Sequence, residues 1–565
     1  MSRWKLVAWF ATLTAVSGPV WCREVIPPDR RVIWSANVGV AGGIPSHTNI
    51  FKYFPAPADT AAIQAALIAC PSNQVVQLGP WTNLLHGMID WQGVRAGVVL
   101  RGSTNSSGQP MTRLTFADGF IYFRSVFDEG ALKHSVNLAR DAIKGQTELV
   151  LAQVPAWIKP GHLYLVDQLD DPSFVTDFAG REASGCYRMR MGCGKRGMAQ
   201  LAKVKGIHGN TVEIEVPLYY SWSTKFQAQL AEAGYDPAAF GPRFQCGLED
   251  LQLEQTFRNS DTHMIRMENC DNCWLRNVNS YNVAGLDHLI VQFSYRCEVR
   301  DSTFGFSHLY GPGQGYGTAL YDVSSGCLVE NNIFDHLHCA MQVNYGSSGN
   351  AFAYNCVLGG AADAREAPSI GTHGHHAFMN LFEGNYCEGK AMFDCIHGSS
   401  SHNSLFRNRI VGDQPGLPLN QCAVDIDHYN RQCNAVGNVL GSKNHHLYEK
   451  KAPAETCSDR DRVIWKLGYV NAWACDSSKG FDRIEQLGLL RALNYDTVTK
   501  TNAGIVQNGF ELKDLPESLL YPGKPRFFGA LTWPPFDPAR GFSAQALNLP
   551  AGYRHRFGTN AFSAD

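Results

Sequence analysis

The sequence predicts an all-β protein, a single-stranded parallel β-helix whose coils stack along one axis. Three observations predict it. First, one phrase recurs: His373-Gly374 leads to Leu381-Phe382, and His397-Gly398 leads to Leu405-Phe406, 24 residues further on. Second, the phrase extends along the chain, with apolar anchors at Leu275, Val299, Val329, Ala353, Phe382, Phe406 and Val436, spaced by 24, 30, 24, 29, 24 and 30 residues. Periods of this length mark solenoids, whose coils bury their faces on their neighbours. Third, Asn recurs near the expected turns (Asn277, Asn331, Asn355, Asn385, Asn408, Asn438), as an asparagine ladder running up the stack requires.

The elements follow in chain order. Residues 1–22 read as a secretory signal: basic Arg3 and Lys5, a short apolar run, then small residues. The run is too short to span a bilayer, and plain export to the periplasm or medium fits better than a lipoprotein at Cys22. Residues 23–139 hold an N-terminal cap and the first coils. Asp59 is placed to cap an amphipathic helix with Ile63, Ala66 and Leu67 on its apolar stripe. The strands VVQL and GVVLRG (97–102) follow. Residues 140–222 break the repeat as a small β insertion, with strands expected over Thr147–Val154, His162–Gln168, Met198–Val204 and Thr211–Val216. Coils resume over 223–441. Residues 442–565 close the chain as an irregular cap and a Pro- and aromatic-rich strap, in which Phe527, Phe528 and Trp533 are expected to pack.

The helix, strand and glycine-rich strand over 59–102 resemble the opening of the pectate-lyase-like superfamily of right-handed β-helices. That resemblance implies right-handed coils, a helix protecting the open end of the sheets, and a carbohydrate substrate class. Gly371-Thr-His-Gly374 faintly echoes a polygalacturonase motif, and Leu286-Asp287-His288 a pectate lyase one. The remaining signatures of either subfamily are missing, so the resemblance transfers fold and broad substrate class only.

Composition excludes some functions. A net charge of −2 makes no electrostatic case for nucleic acid or an anionic membrane, and the chain reads as a monomer with no membrane span. Seventeen cysteines in an exported chain can pair. Cys186 and Cys193 flank a glycine-containing loop and form the candidate disulfide. Cys273, Cys297, Cys327, Cys339 and Cys356 read as buried thiols at strand positions. Cys270-x-x-Cys273 has no second pair to complete a zinc site.

The register also assigns a candidate site. Nine residues before each anchor lies the column Ile290, Leu320, Asn344, His373, His397, Asp427. Residues two away along a strand share its face. One solenoid face is therefore expected to carry Gln342, Asn344, His373, His375, His397, Asp425, Asp427 and Tyr429, open to solvent. His373 and His397 suit proton transfer. Asp425 and Asp427, ~6.6 Å apart at their α-carbons, could act as a glycosidase acid and base, or hold Ca2+ with other oxygens. Asn344, Gln342, His375 and Tyr429 would contact substrate. Asp394 falls off this parity, and no lysine or arginine falls in the column.

The expectation is an exported protein acting on a polysaccharide, as lyase or hydrolase, with no cofactor required. A non-catalytic glycan-binding solenoid and a purely structural repeat are the alternatives.

Overall fold

A residue with left-handed backbone sets one corner of every coil, and the side chain after it points into the solenoid. At the first corner this residue is Asp250, Asn277, Asp301, Asn331, Tyr354, Gly384, Arg407, Gly437 and Leu493 in turn, with φ between 51° and 68°. Asp, Asn and Gly tolerate that conformation best, which explains their recurrence there. The computed structural model describes residues 25–124, 134–173, 196–233, 243–361, 367–414, 421–451, 462–469, 481–501, 515–543 and 546–558. The signal at 1–22 and the Cys186/Cys193 pair lie outside these residues.

The chain forms a right-handed parallel β-helix, with sheets of 21 and 11 strands among the described residues. The larger sheet carries two faces. One stacks Glu298–Arg300, Leu328–Glu330, Ala351–Ala353, Leu381–Glu383, Ser404–Phe406 and Asn434–Val436. The other runs past the corner through Ile333–Leu337, Cys356–Gly360 and Tyr386–Cys387. The smaller sheet is the third face. It stacks Asp287–Gln292, Tyr316–Tyr321, Cys339–Asn344, Ile370–His373, Ala391–Phe393, Cys422–Ile426 and Val463–Leu467.

The observed anchors correct the expected ones. Leu275, Val299 and Val329 share a column with Phe352, Phe382, Leu405 and Ala435, all buried in the solenoid interior. Ala353, Phe406 and Val436, expected as anchors, lie one residue on and face outward. They are apolar because they are buried outside the solenoid, in a second core that includes Phe528 and Phe536 of the strap.

Two ladders brace the corners. Asn332, Asn355, Asn385, Asn408, Asn438 and Asn494 form the first: Asn332 Oδ1 accepts from the Ser302 N–H, and every later Oδ1 accepts from the backbone N–H and Nδ2 of the Asn one coil earlier at 2.9–3.1 Å. Asn277 and Asn331 are not rungs. They occupy the corner itself and donate to Asp250 and Asp301 at 2.7 Å. At a second corner Asn350, Asn380 and Asn403 repeat the pattern. Earlier coils fill this same place with buried Cys246, Cys273, Cys297 and Cys327. Cys339 and Cys356 belong to other strands. The twelve cysteines among the described residues are buried thiols.

The helix Thr60–Ala69 covers the first coils, as expected. Asp59 accepts from the Ala62 N–H at 2.8 Å, and Ile63, Ala66 and Leu67 are buried. The insertion is a six-stranded antiparallel sheet from Ser135–Asn137 to Gln229–Glu232, wider than 140–222. It packs on a ladder of single bridges through Ser325, Ser348 and Phe378. There the Leu201 N–H donates to Ser325 Oγ, and Ser348 Oγ donates to the Ala199 carbonyl. The strap crosses the outward Glu330–Glu383 face. Tyr521 bonds Glu330, the Leu519 N–H donates to Glu383, and Phe528 meets the Tyr354 ring edge-on at 5.0 Å. Among the described residues no helix is long and apolar enough to cross a membrane.

Candidate functional site

The smaller sheet alternates strictly at its end, and this alternation builds the site. Val343, Thr372, Phe393, Ile426 and Leu467 point inward. The residues before and after them point outward. The outward column is therefore Gln292, Tyr321, Asn344, His373, Asp394 and Asp427. Asn344 pairs His373 in register, and the Asp394 and Asp427 N–H groups continue the ladder onto the Thr372 and Phe393 carbonyls. The neighbouring outward column is Ile290, Ala319, Gln342, Gly371, Met392, Asp425 and Lys466.

This register corrects the expected one in three places. His397 is not a strand residue: it lies in the exposed turn beyond Phe393, and its ring meets His373 edge-on at 5.0 Å between centroids. Asp394 takes the expected place of His397 in the column. Lys466 enters the neighbouring outward column, beside Asp425, on a face read as lacking lysine.

Asp394 defines the chemistry of His373. Its Oδ2 lies 2.7 Å from His373 Nδ1. Burial opposes the imidazolium, but the Asp394 charge and this hydrogen bond outweigh it, so the His373 pKa is raised above its ordinary value. The bond also fixes the ring so that Nε2 is the nitrogen left for a reacting group. His373 remains partly exposed while Asp394 is buried.

Asp425 is held differently. Lys390 Nζ and Lys466 Nζ each lie 3.1 Å from its Oδ2. Burial would raise its pKa, but the two ammonium groups overcome that and depress it; burial disfavours the Lys466 charge, yet Asp425 and then Asp427 hold its pKa up. Asp425 thus stays ionised. Asp427 is buried one residue past the strand, 1 % exposed. Among the described residues no group of three His, Cys, Asp or Glu is arranged for a metal ion, and the Asp425 carboxylate is met by lysines instead.

Most of the remaining expected residues are covered. Asn344 is fully buried: its amide donates to the His373 carbonyl at 3.0 Å and accepts from the Tyr321 hydroxyl at 2.8 Å. Gln342 is 6 % exposed, beside Gly371, which leaves room over that coil. His375 is buried in the following turn, with Nε2 3.4 Å from Asp170 of the insertion. Gly197 of the insertion lies so flat on the His375 ring that a β-carbon there would overlap it. Tyr429 is half-buried at a left-handed turn, its ring stacked on His428 at 4.2 Å. Of the eight residues expected on one open face, His397 is exposed and His373 and Tyr429 are partly exposed, while Asn344, Gln342, His375, Asp425 and Asp427 are covered.

No protein-family model matches the chain, and no curated protein matches it. Solved structures do align. The tailspike gp61 of Pseudomonas phage phi297 matches with a TM-score of 0.39 at 12% identity, covering 72% of this chain and 73% of that one. The tailspike gp49 of Pseudomonas phage LKA1 matches with a TM-score of 0.40 at 11% identity, covering 73% and 70%. The A-module of the Azotobacter vinelandii mannuronan C-5 epimerase AlgE6 matches with a TM-score of 0.30 at 11% identity, covering 73% and 92%. At these scores the likenesses carry no argument about chemistry, which rests on the residues above.

Sequence reasoning missed Asp394, Lys390 and Lys466. A signal for Asp394 was present: Thr372-His373, Phe393-Asp394 and Ile426-Asp427 each pair an inward residue with an outward polar one at a strand end.

Proposed function

We propose that the outward face around His373 binds a polysaccharide and cleaves it by β-elimination next to a uronate. The observation that carries this reading is the 2.7 Å His373–Asp394 hydrogen bond on an outward sheet face, beside the exposed His397. Such a pair makes a base: neutral His373 takes the proton α to the uronate carboxylate through Nε2, and Asp394 stabilises the imidazolium that forms. The C–H bond breaks, the adjacent ring carbons form a double bond, and the glycosidic C–O bond breaks. His397, within ring contact of His373, is placed to protonate the leaving oxygen. The Lys390–Asp425–Lys466 cluster carries one net positive charge near the developing enolate. A hydrolytic reading would have to take Asp427 as the acid, because two lysines hold the Asp425 carboxyl ionised, and Asp427 is buried. The membership of the pectate-lyase-like superfamily and the export of the chain belong to this same proposal.

The test is a panel of uronate and neutral polysaccharides incubated with the purified protein, with and without chelator, read by ultraviolet absorbance of the unsaturated product. Absorbance with a uronate substrate that disappears in His373→Ala is the expected result. New reducing ends without absorbance would establish hydrolysis instead. The cover over Asp425 and Asp427, the carboxyls a hydrolase would use, favours a second reading, glycan binding without turnover. It predicts binding to the same panel and no product.

A further inference from the structure

A cavity lies away from the His373 face, where the N-terminal segment and the insertion meet the solenoid corner. Its volume is about 610 Å3, and no residue of the His373 column lines it. Its walls are mainly apolar, but Asp29, Arg31, Lys144, Tyr220, His402 and Gln432 also contribute.

Lys144 is the unusual group. Lys144 is half-buried, and a lysine drawn out of water ordinarily meets a carboxylate. Among the described residues Lys144 has no such ion pair: its Nζ donates to the Asp29 carbonyl oxygen at 2.9 Å and meets Met379 Sδ at 3.7 Å. Burial lowers its pKa to about 7; the Asp29 charge counters this, and Arg31 adds to the lowering. A second cation, Arg31, shares the cavity, anchored by its Nε on the Ile26 carbonyl at 2.9 Å. His402 is buried, and its pKa is lowered to about 3 by burial and then by the Lys144 and Arg30 charges, so it stays neutral. Tyr220 offers an aromatic edge, and burial keeps its hydroxyl protonated, with Asp171 adding to that. Gln432 presents a buried Oε1 that accepts no hydrogen bond among the described residues.

Two cations that form no ion pair among the described residues, only one carboxylate (Asp29) in the lining, an amide oxygen unsatisfied among those residues and an aromatic ring suit a ligand carrying both a negative charge and hydroxyl donors. We propose that this cavity is a binding site for a single sugar acid, with its carboxylate between Lys144 and Arg31 and a hydroxyl donating to Gln432. The volume suits one pyranose unit. The site does not depend on the chemistry of the groove, because it shares no residue with it.

The coupling has a pH signature. Asp29, Arg31, His402 and Tyr220 line the cavity with Lys144; burial holds His402 neutral and Tyr220 protonated, and brings Lys144 to about 7. A sugar carboxylate stays ionised there. Affinity should therefore fall by up to about tenfold between pH 6 and pH 8, as the free amine loses its proton.

Isothermal titration of the full-length protein with glucuronate, galacturonate, glucose and inorganic phosphate tests this. The expected result is binding of a sugar acid but not glucose, weakening with rising pH. Lys144→Met should abolish it. Gln432→Glu, which supplies an internal counter-ion at the cavity, should also abolish it and serves as a second variant should Lys144→Met not fold. His373→Ala, which disables the groove, should leave this binding unchanged. Binding insensitive to both cavity variants, binding of phosphate alone, or no sugar-acid binding at all overturns the proposal.

Discussion

His373 and Asp394 sit on successive coils, and their side chains meet at 2.7 Å although 21 residues separate them. The parallel stack makes this contact, since each strand lies ~4.8 Å from the next. Asp394→Asn keeps the shape and removes the charge. Turnover should fall roughly 10²–10⁴-fold, the range for loss of a positioned base. The pH–rate profile distinguishes this from misfolding. Activity should rise with pH as His373 loses its proton, and in Asp394→Asn that limb should move toward acid, because the carboxylate no longer raises the His373 pKa.

The same pair contributes to stability with a defined sign. Its folded pKa is raised, so the contribution is fully present below the ordinary imidazole value of 6.5 and is lost as pH rises through the raised value. Urea unfolding across that window should show a slope in the wild type that flattens in Asp394→Asn.

Asp425 carries the opposite sign. Its folded pKa is depressed, so its contribution is present above the ordinary value of 3.8 and is lost as pH falls through the depressed one. Asp425→Asn leaves two buried ammonium groups without their counter-ion. The expected loss is about 3–5 kcal/mol at neutral pH, measured by urea unfolding. Replacing Lys390, Asp425 and Lys466 together with apolar residues of similar volume should restore much of it.

The asparagine ladder tests the spine. Asn385 receives two bonds from Asn355 and gives two to Asn408 and one to the Phe352 carbonyl. Asn385→Ala strands two buried Asn355 donors and takes the amide donor from Asn408 Oδ1 and the Phe352 carbonyl, at about 1–3 kcal/mol for each group left unsatisfied. Thermal unfolding should show a lower midpoint.

The thiols give a chemical check. The twelve described cysteines are buried, with burial pushing several up, Cys70 to about 11 and Cys433 to about 12. A thiol reagent should label them only after denaturation. A mass increase of about two daltons on reduction of a peptide spanning Cys186 and Cys193 would establish the bridge expected between them.

The repeat was legible because its corners demand particular residues. Left-handed Asn, Asp and Gly, followed by an inward Asn, survive as pattern even where strands are three residues long. The helix Thr60–Ala69 was legible for the same local reason, a capping Asp59 before an apolar stripe. The site was legible only in part. Counting nine residues back from an anchor assumes that every turn between the smaller sheet and the next strand is equal. It is eight residues from Asn344 to Phe352, nine from His373 to Phe382, and eleven from Asp394 to Leu405. The repeated His-Gly phrase concealed the longest of these turns, so His397 displaced Asp394. Lys466 was hidden because its coil begins 41 residues after Asp425, beyond any repeat length. Ala353 and Phe406 misled because the strap makes the outside of that strand apolar too.

Coils along the larger sheet alternate in length: Val299 to Val329 spans 30 residues, Val329 to Phe352 spans 23, Phe352 to Phe382 spans 30, and Phe382 to Leu405 spans 23. The natural building unit is consequently a pair of turns, one short and one long. Excising such a pair, from Asn332 up to Asn385, would rejoin like with like and bring each remaining rung under its proper successor. Excising one turn alone would set two long turns, or two short ones, side by side. The molecule is thus a ruler graduated in double steps, and any lengthening or shortening of its groove that leaves the rest intact comes in increments of ~10 Å.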